Sequence, residues 1–169
     1  MIGLAFDTAL DACSVAVFNE GELLGHLHER MSKGHAECLM PMVESVMNRA
    51  SVNYIDLDFI AVTVGPGTFT GVRVGLSAAR ALRLTTGLPI AGVSTLAAVA
   101  EGVWRSLVLD ANISIIVLHD ARRQELFQQK IRYRSEVLPC PPSIVSLEAV
   151  ASVIPRGPIM MVVSGIQCL

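Results

Sequence analysis

The stretch VTVGPGTFTGVRVGLSAAR, residues 62–80, joins a β-branched run to a helix of small residues through a glycine-rich loop. Gly65 and Gly67 flank Pro66, and a third glycine follows at Gly71. A strand, a glycine loop and a helix in this order predict an α/β protein. The loop in such a protein either cradles a phosphate or makes a sharp reversal of the chain.

The loop matches neither of two common phosphate-binding motifs. A Walker A loop ends in Gly-Lys-Ser/Thr, whose lysine contacts the β- and γ-phosphates, and no such triplet follows here. The dinucleotide fingerprint is G-x-G-x-x-G, whereas these glycines are spaced G-x-G-x-x-x-G. Backbone amides at a helix N-terminus still attract anions, so phosphate contact stays open. A structural turn is the favoured interpretation, because glycine and proline supply the freedom and rigidity that a sharp turn needs.

The composition of the 169-residue chain is unusually apolar, with 52% hydrophobic and 17% charged residues. It predicts a sheet that is buried on both faces, or an apolar surface that binds a partner. No apolar run reaches the roughly 18–20 residues of a membrane helix, and Asp7 interrupts the apolar N-terminus, so no membrane span or signal peptide is predicted. The net charge of −2 argues against a chain that binds nucleic acid on its own. Four scattered cysteines predict reduced thiols in a cytoplasmic protein.

Hydrophobic periodicity divides the first part of the chain into strands and helices in α/β order. Residues 2–31 are predicted to form an antiparallel meander of three strands with tight turns. The following helix ends at residue 50, and Pro41 predicts that its regular part starts close to that residue. The later predicted elements are a strand over 58–64, a helix over 71–86 with Gly87 as its C-cap, a strand over 89–94 and a helix that Ser94 or Thr95 caps.

A second lobe is predicted after a linker over residues 105–112, which gives an N-terminal lobe over 1–104 and a partial second lobe over 105–169. In the second lobe, residues 113–133 predict a strand, an acidic turn and a strand, as at the start of the chain, and we interpret this as a weak internal repeat. A proline-rich loop, a short helix and a final strand over 159–163 follow, and the lobe is expected to lack its closing elements.

The helix over 71–86 gathers Arg73, Arg80 and Arg83 on one side, where they flank Leu76. An ordinary solvated basic face is one interpretation. The other is a docking face on which arginines surround an apolar centre, a composition typical of interfaces.

The sequence offers little support for a metal site or a nucleophile. His26 and His28 share a strand face without a third ligand, and Leu39 stands where a zinc-binding partner of His35 would be. No Ser or Cys lies in a motif with a base that would activate it. Asp7 and Asp120 are candidates for catalytic carboxylates, although residues of this kind more often initiate turns.

Four segments, in this order and spacing, resemble the TsaB (YeaZ) family: FDTALDACSVAVF, GHAECLMPMV, VGPGTFTGVRVGLSAARAL and DARRQELF. The match covers roughly residues 1–130. The resemblance implies the α/β ASKHA (actin/Hsp70-like) fold, with two lobes that are each built on a β-meander and crossover helices. It also implies a part in making threonylcarbamoyladenosine at adenosine 37 of ANN-decoding tRNAs.

The resemblance further implies that this chain is a noncatalytic subunit. The transfer step belongs to a paralogue, TsaD, which has a metal-binding HxxxH motif, and the ATPase TsaE joins the complex. ATP and metal are therefore expected on the partner subunits and not on this chain alone, and tRNA is expected to bind only through the complex. Leu39 stands at the place of the second metal histidine, which gives the chain the character of a pseudoenzyme.

Family resemblance also implies that the helices over 36–50 and 71–86 form the face used for homodimers and for pairing with TsaD. The residues expected at this interface are Leu39, Met40, Val43, Met47, Arg73, Leu76, Arg80 and Arg83. The alternative is an ASKHA nucleotidase or kinase that acts alone. Its nucleotide site, vestigial in the scaffold interpretation, would include Asp7, Thr8, Gly65 and Gly67.

Overall fold

A computed structural model of the chain describes residues 1–107, 113–132, 140–154 and 159–164. Its first strands are β1 (Ile2–Asp7), β2 (Ala12–Asn19), β3 (Glu22–Arg30), β4 (Phe59–Thr63) and β5 (Ile90–Val93). They form a sheet in the order β3-β2-β1-β4-β5. The predicted meander is confirmed, since β1, β2 and β3 pair antiparallel, and β4 and β5 extend the sheet in parallel.

Two helices cover this sheet, α1 (His35–Ala50) and α2 (Phe69–Thr86). Their buried side chains share one core with alternate residues of the strands. The core is formed by Leu4, Phe6, Cys13, Val15, Val17, Leu39, Met42, Val43, Val46, Met47, Leu57, Ile60, Val62 and Ala79. A 3-10 turn over Tyr54–Asp56, which the sequence did not predict, connects α1 to β4.

The helix boundaries differ from the prediction at both N-termini. α1 begins at His35 and contains Pro41, so the expected start near the proline was wrong. Pro41 and Glu37, whose carbonyl the missing amide would have bonded, are both exposed, so water can satisfy that carbonyl. α2 begins at Phe69 because the Thr68 hydroxyl accepts a hydrogen bond from the Gly71 amide at 3.1 Å. Its predicted C-cap, Gly87, is confirmed.

The second part of the chain repeats the topology of the first. It contains α3 (Thr95–Leu107), β6 (Ser114–Arg122), β7 (Glu125–Arg132), β8 (Ser143–Ser146), a 3-10 turn (Leu147–Ala149), α4 (Val150–Val153) and β9 (Ile159–Ser164). The strand order is β8-β7-β6-β9, with β6–β7 and β7–β8 antiparallel and β6–β9 parallel. The same relations join β1, β2, β3 and β4, so the internal repeat is confirmed. β8 was not predicted, because it is four residues long and directly follows prolines.

The chain divides into two compact units, Met1–Thr95 and Leu96–Leu169. The boundary precedes the predicted one because Leu96, Ala100 and Trp104 of α3 pack into the core of the second unit. The predicted linker over 105–112 begins inside α3, and its remainder, 108–112, lies outside the described residues. None of the described helices combines the length and the hydropathy that a membrane span requires.

The buried thiol of Cys13 provides a test of the first core. The pKa of this thiol is raised from 9.0 to about 11, mainly by burial and to a smaller extent by the nearby Cys38 and Asp7. The folded state therefore holds a proton that the unfolded state releases above pH 9, so the free energy of unfolding should fall between about pH 9 and 11, by roughly 2–3 kcal/mol. Urea denaturation of the wild type and of Cys13→Ala at several alkaline pH values measures this loss. The same pH dependence in both proteins would contradict the prediction.

Candidate functional site

The glycine loop packs directly onto the turn that follows β1. Gly65 has a φ of +103°, and the Gly65–Pro66 peptide bond is cis. The amide of Thr68 donates a hydrogen bond to the Ala9 carbonyl at 2.7 Å. A Cβ atom on Gly67 would lie 2.4 Å from the same carbonyl oxygen. Glycine is therefore required at position 67, because the two backbone segments are too close for a side chain between them.

Thr8 continues this contact along α2. Its buried hydroxyl donates a hydrogen bond to the Gly71 carbonyl at 2.7 Å. A Cβ atom would lie 2.0 Å from the Thr8 carbonyl oxygen if built on Gly71, and 2.9 Å from the Thr8 hydroxyl if built on Gly75. The space beside these glycines is thus filled by Thr8 and Ala9. This packing favours the interpretation of the loop as a structural turn and not as a phosphate cradle.

Asp7 is held by the same turn. One carboxylate oxygen accepts hydrogen bonds from the Ala9 amide at 2.8 Å and from the Thr63 hydroxyl at 2.5 Å. In the second unit, a carboxylate oxygen of Asp120 accepts from the Arg122 amide at 2.7 Å, so both aspartates close a turn. The structure brings Asp7 and Thr8 together with the glycine loop, but each has a structural partner. Nucleotide binding at Asp7, Thr8, Gly65 and Gly67 stays a prediction.

An open groove of about 450 Å³ lies between α1 and α2. It is lined by Ala36, Leu39 and Met40 of α1 and by Phe69, Thr70, Arg73, Val74, Ser77 and Ala78 of α2. Phe69 is 70% exposed, and the Arg73 guanidinium lies over its ring at 3.6 Å from the centroid. An aromatic ring and an arginine beside an apolar groove are typical of protein interfaces.

Three residues expected at the interface lie in the core instead. Leu39, Val43 and Met47 are only 1%, 0% and 4% exposed. The apolar face of α1 is covered by its own sheet, so Val43 and Met47 cannot form a partner surface in this conformation. Leu76 is half-buried against the same core, and only Leu39 reaches the floor of the groove.

The other expected residues lie at the surface. Met40 lines the groove, and Arg73, Arg80 and Arg83 are exposed and form no ion pair within the described ranges. Together with Leu84, which is 87% exposed, Arg73 and Arg80 lie along one stripe of α2 at spacings of seven and four residues. Sequence reasoning missed Phe69 and Leu84. The signal was available, because both apolar residues lie off the face that Gly71, Gly75 and Ala79 bury.

Two of the candidate metal positions, His28 and His35, have other partners. A ring nitrogen of His35 lies 3.0 Å from the Leu10 carbonyl oxygen, and a ring nitrogen of His28 lies 2.8 Å from the Ser14 hydroxyl. In the part of the chain that the structure describes, no three His, Cys, Asp or Glu side chains cluster as metal ligands would. That this chain binds no metal stays a prediction.

Comparison with known proteins identifies the family. The family model described as TsaD: tRNA N6-adenosine threonylcarbamoyltransferase matches residues 23–159. The Escherichia coli K12 tRNA threonylcarbamoyladenosine biosynthesis protein TsaB is 38% identical over 124 residues, which are 73% of this chain and 52% of that protein. The Bacillus subtilis protein of the same name is 32% identical over 135 residues, 80% of this chain and 57% of that one. The chain belongs to the TsaB (YeaZ) family.

Solved structures agree with the TsaB assignment. YeaZ from Pseudomonas aeruginosa superposes with a TM-score of 0.85 and 30% identity, covering 95% of this chain and 74% of that one. Component A of (R)-2-hydroxyglutaryl-CoA dehydratase from Acidaminococcus fermentans matches at a TM-score of 0.53 and 12% identity, over 86% of this chain and 48% of that one, and shows the fold alone. The ASKHA fold class is therefore confirmed. The chain spans about half the length of the curated relatives it matches.

Gly71 provides a direct test of the packing at the glycine loop. A methyl group here would overlap the Thr8 carbonyl oxygen, so Gly71→Ala should destabilise the protein by roughly 3 kcal/mol. Gly102→Ala in α3 is the matched control, because no atom lies within 4 Å of its added methyl group. That helical substitution should be neutral or stabilise by about 0.5–1 kcal/mol. Chemical denaturation of both variants measures these changes in stability. Equal midpoints for Gly71→Ala and Gly102→Ala would show that the close approach of Gly71 to the Thr8 carbonyl is not required.

Proposed function

We propose that this chain is a noncatalytic TsaB subunit, which pairs with TsaD during threonylcarbamoyl transfer to adenosine 37 of ANN-decoding tRNAs. Family membership and the match to the TsaD family model support the pathway. The observation that carries the pairing is the groove between α1 and α2, with exposed Phe69 and Arg73 at its side. A groove of this kind accepts apolar side chains of a partner, while the arginines of α2 contact polar residues at the rim of the partner's surface.

A pseudoenzyme role is supported by the residues that would otherwise do chemistry. Leu39 is buried at the position of a metal histidine, and His35 contacts a backbone carbonyl. Thr8 and Ala9 fill the space beside the glycine loop. Metal and ATP therefore belong to TsaD and TsaE in this proposal, and the complex meets tRNA in the cytoplasm. The same packing argues against the alternative, an ASKHA nucleotidase or kinase that acts alone.

The charges around the groove also suit a homodimer. Glu37 and Glu44 lie one turn before and one turn after Met40 on the exposed side of α1, and α2 carries arginines without an acidic residue. A twofold axis would set the arginines of one copy against the glutamates of the other. Homodimer and TsaD would then compete for one surface, and the homodimer is the form that the chain adopts alone.

Pairing and transfer are tested together. The chain is mixed with TsaD of the same organism on a sizing column, and threonylcarbamoyl transfer to tRNA is then assayed with TsaE and the threonylcarbamoyl donor present. We expect a co-eluting complex and no transfer when the chain is omitted. Transfer at the full rate without the chain would contradict the scaffold role. ATP binding by the isolated chain that Asp7→Ala abolishes would favour the enzyme alternative.

A carboxylate placed on either helix beside the groove tests the surface. Met40→Glu and Arg80→Glu should each weaken pairing by at least about tenfold, or ~1.4 kcal/mol, because they place a carboxylate beside an apolar groove or a basic rim. Arg49→Glu is the control with the same change of charge as Arg80→Glu, since this exposed residue lies on the opposite side of α1 from Met40. Sedimentation measures pairing, and thermal melting should show all three folded. Leu39→Glu, by contrast, should unfold the first unit.

If Arg49→Glu weakened pairing as much as Arg80→Glu, the effect would come from net charge and not from the groove. Intact pairing in both groove variants would place the interface elsewhere. Leu76→Glu is less informative than Arg80→Glu, because Leu76 packs against the core and its substitution should also lower stability.

A further inference from the structure

The turn between β6 and β7 holds three consecutive residues in the left-handed region. Arg122, Arg123 and Gln124 have φ values of 67°, 55° and 64°, and all three are exposed. This conformation costs an L-residue roughly 1–2 kcal/mol, and Asn-Gly is the pair that hairpin turns of this type prefer. Three consecutive strained residues at an exposed site are a reason to look for a function of their side chains.

The turn is fixed on both sides. The carboxylate of Asp120 accepts the Arg122 amide, and a register shift between these two residues bends the strand. The Gln124 carbonyl accepts a hydrogen bond from the Leu147 amide at 3.0 Å. The backbone of the two arginines is therefore held in place, which reduces the entropy lost when their side chains bind a ligand.

The two guanidinium groups are available for an anion. Within the described ranges neither Arg122 nor Arg123 forms an ion pair, although Asp120 and Glu125 are close in sequence. Arginine binds phosphate with two parallel hydrogen bonds, and contacts of this kind position a protein on a nucleic-acid backbone. An exposed hairpin tip suits a polymer of phosphates better than a single nucleotide, which is normally enclosed by a concave site.

We infer that Arg122 and Arg123 contact the phosphate backbone of the tRNA substrate. The inference rests on the proposed function, because tRNA is the nucleic acid of that pathway. The net charge of −2 means that two phosphate contacts give this chain little affinity for RNA alone, so the contact contributes within the complex with TsaD. Removing both arginines should reduce the salt dependence of tRNA binding by about 0.7–0.9 per lost contact in log–log slope.

The test separates charge from strain. Arg122→Asn/Arg123→Asn removes both charges and relieves the left-handed strain, so it should raise the melting temperature of the chain and lower both tRNA affinity and salt slope. Arg122→Lys/Arg123→Lys keeps charge and strain, and should retain the melting temperature and most of the slope. Arg132→Gln, at an exposed position of β7, is the control for loss of a charge elsewhere. Fluorescence anisotropy with a labelled tRNA anticodon stem–loop measures binding to the complex and, at low salt, to the isolated chain.

An unchanged affinity and slope in the double Asn variant would overturn the inference, as would an equal loss in Arg132→Gln. Loss of TsaD pairing with normal tRNA binding at saturating TsaD would assign the turn to a protein contact and overturn it as well. Displacement of the stem–loop by ATP from the wild type but not from the Asn variant would indicate a nucleotide site instead. If the transfer assay shows that the chain is dispensable, the proposed function fails, while binding of the stem–loop to the complex, which is measured separately from transfer, still decides the RNA contact.

Discussion

The close approach of the turn after β1 to the start of α2 constrains most of the first unit. The Thr8 hydroxyl bonds the Gly71 carbonyl, and no side chain fits on the buried face of α2 at Gly71. Because glycine and alanine occupy this face, the large residues of α2 lie on its other sides. Phe69 and Arg73 consequently reach solvent beside α1 and form one wall of the groove. The glycine loop thus positions α2, and through α2 it determines the shape of the candidate interface.

The sequence predicted the apolar stripe of α1 but not what covers it. An amphipathic helix shows the same periodicity whether its apolar face meets its own sheet or a partner. Leu39, Val43 and Met47 belong to the sheet side, and Met40, at the edge of the stripe, lines the groove. That distinction depends on which elements pack against α1, so local sequence does not contain it. The start of α1 was missed for a related reason, since exposure of Pro41 decides whether the helix tolerates it.

The repeat was predictable because its signals are local. A strand, an acidic turn and a returning strand occur at both Asp7 and Asp120, and both carboxylates bond the amide two residues on. The unit boundary was not predictable in this way. The apolar face of α3 has the periodicity of a buried helix, but nothing in that pattern states which sheet receives Leu96 and Trp104.

The two turns after these aspartates differ in a manner that bears on function. In the first unit the turn is covered by the glycine loop, and the close approach is met with glycine at 67 and 71. In the first unit positive φ values fall on Gly21, Gly34, Gly65 and Gly87 and on two other residues, Glu20 and Ser51, which are not consecutive. In the second unit three consecutive positions have the same requirement, and the sequence places Arg-Arg-Gln there. A turn selected for stability alone would carry Asn or Gly at these positions, because either residue relieves strain without altering the fold. The arginines are therefore better explained by what their side chains bind than by the hairpin that they close.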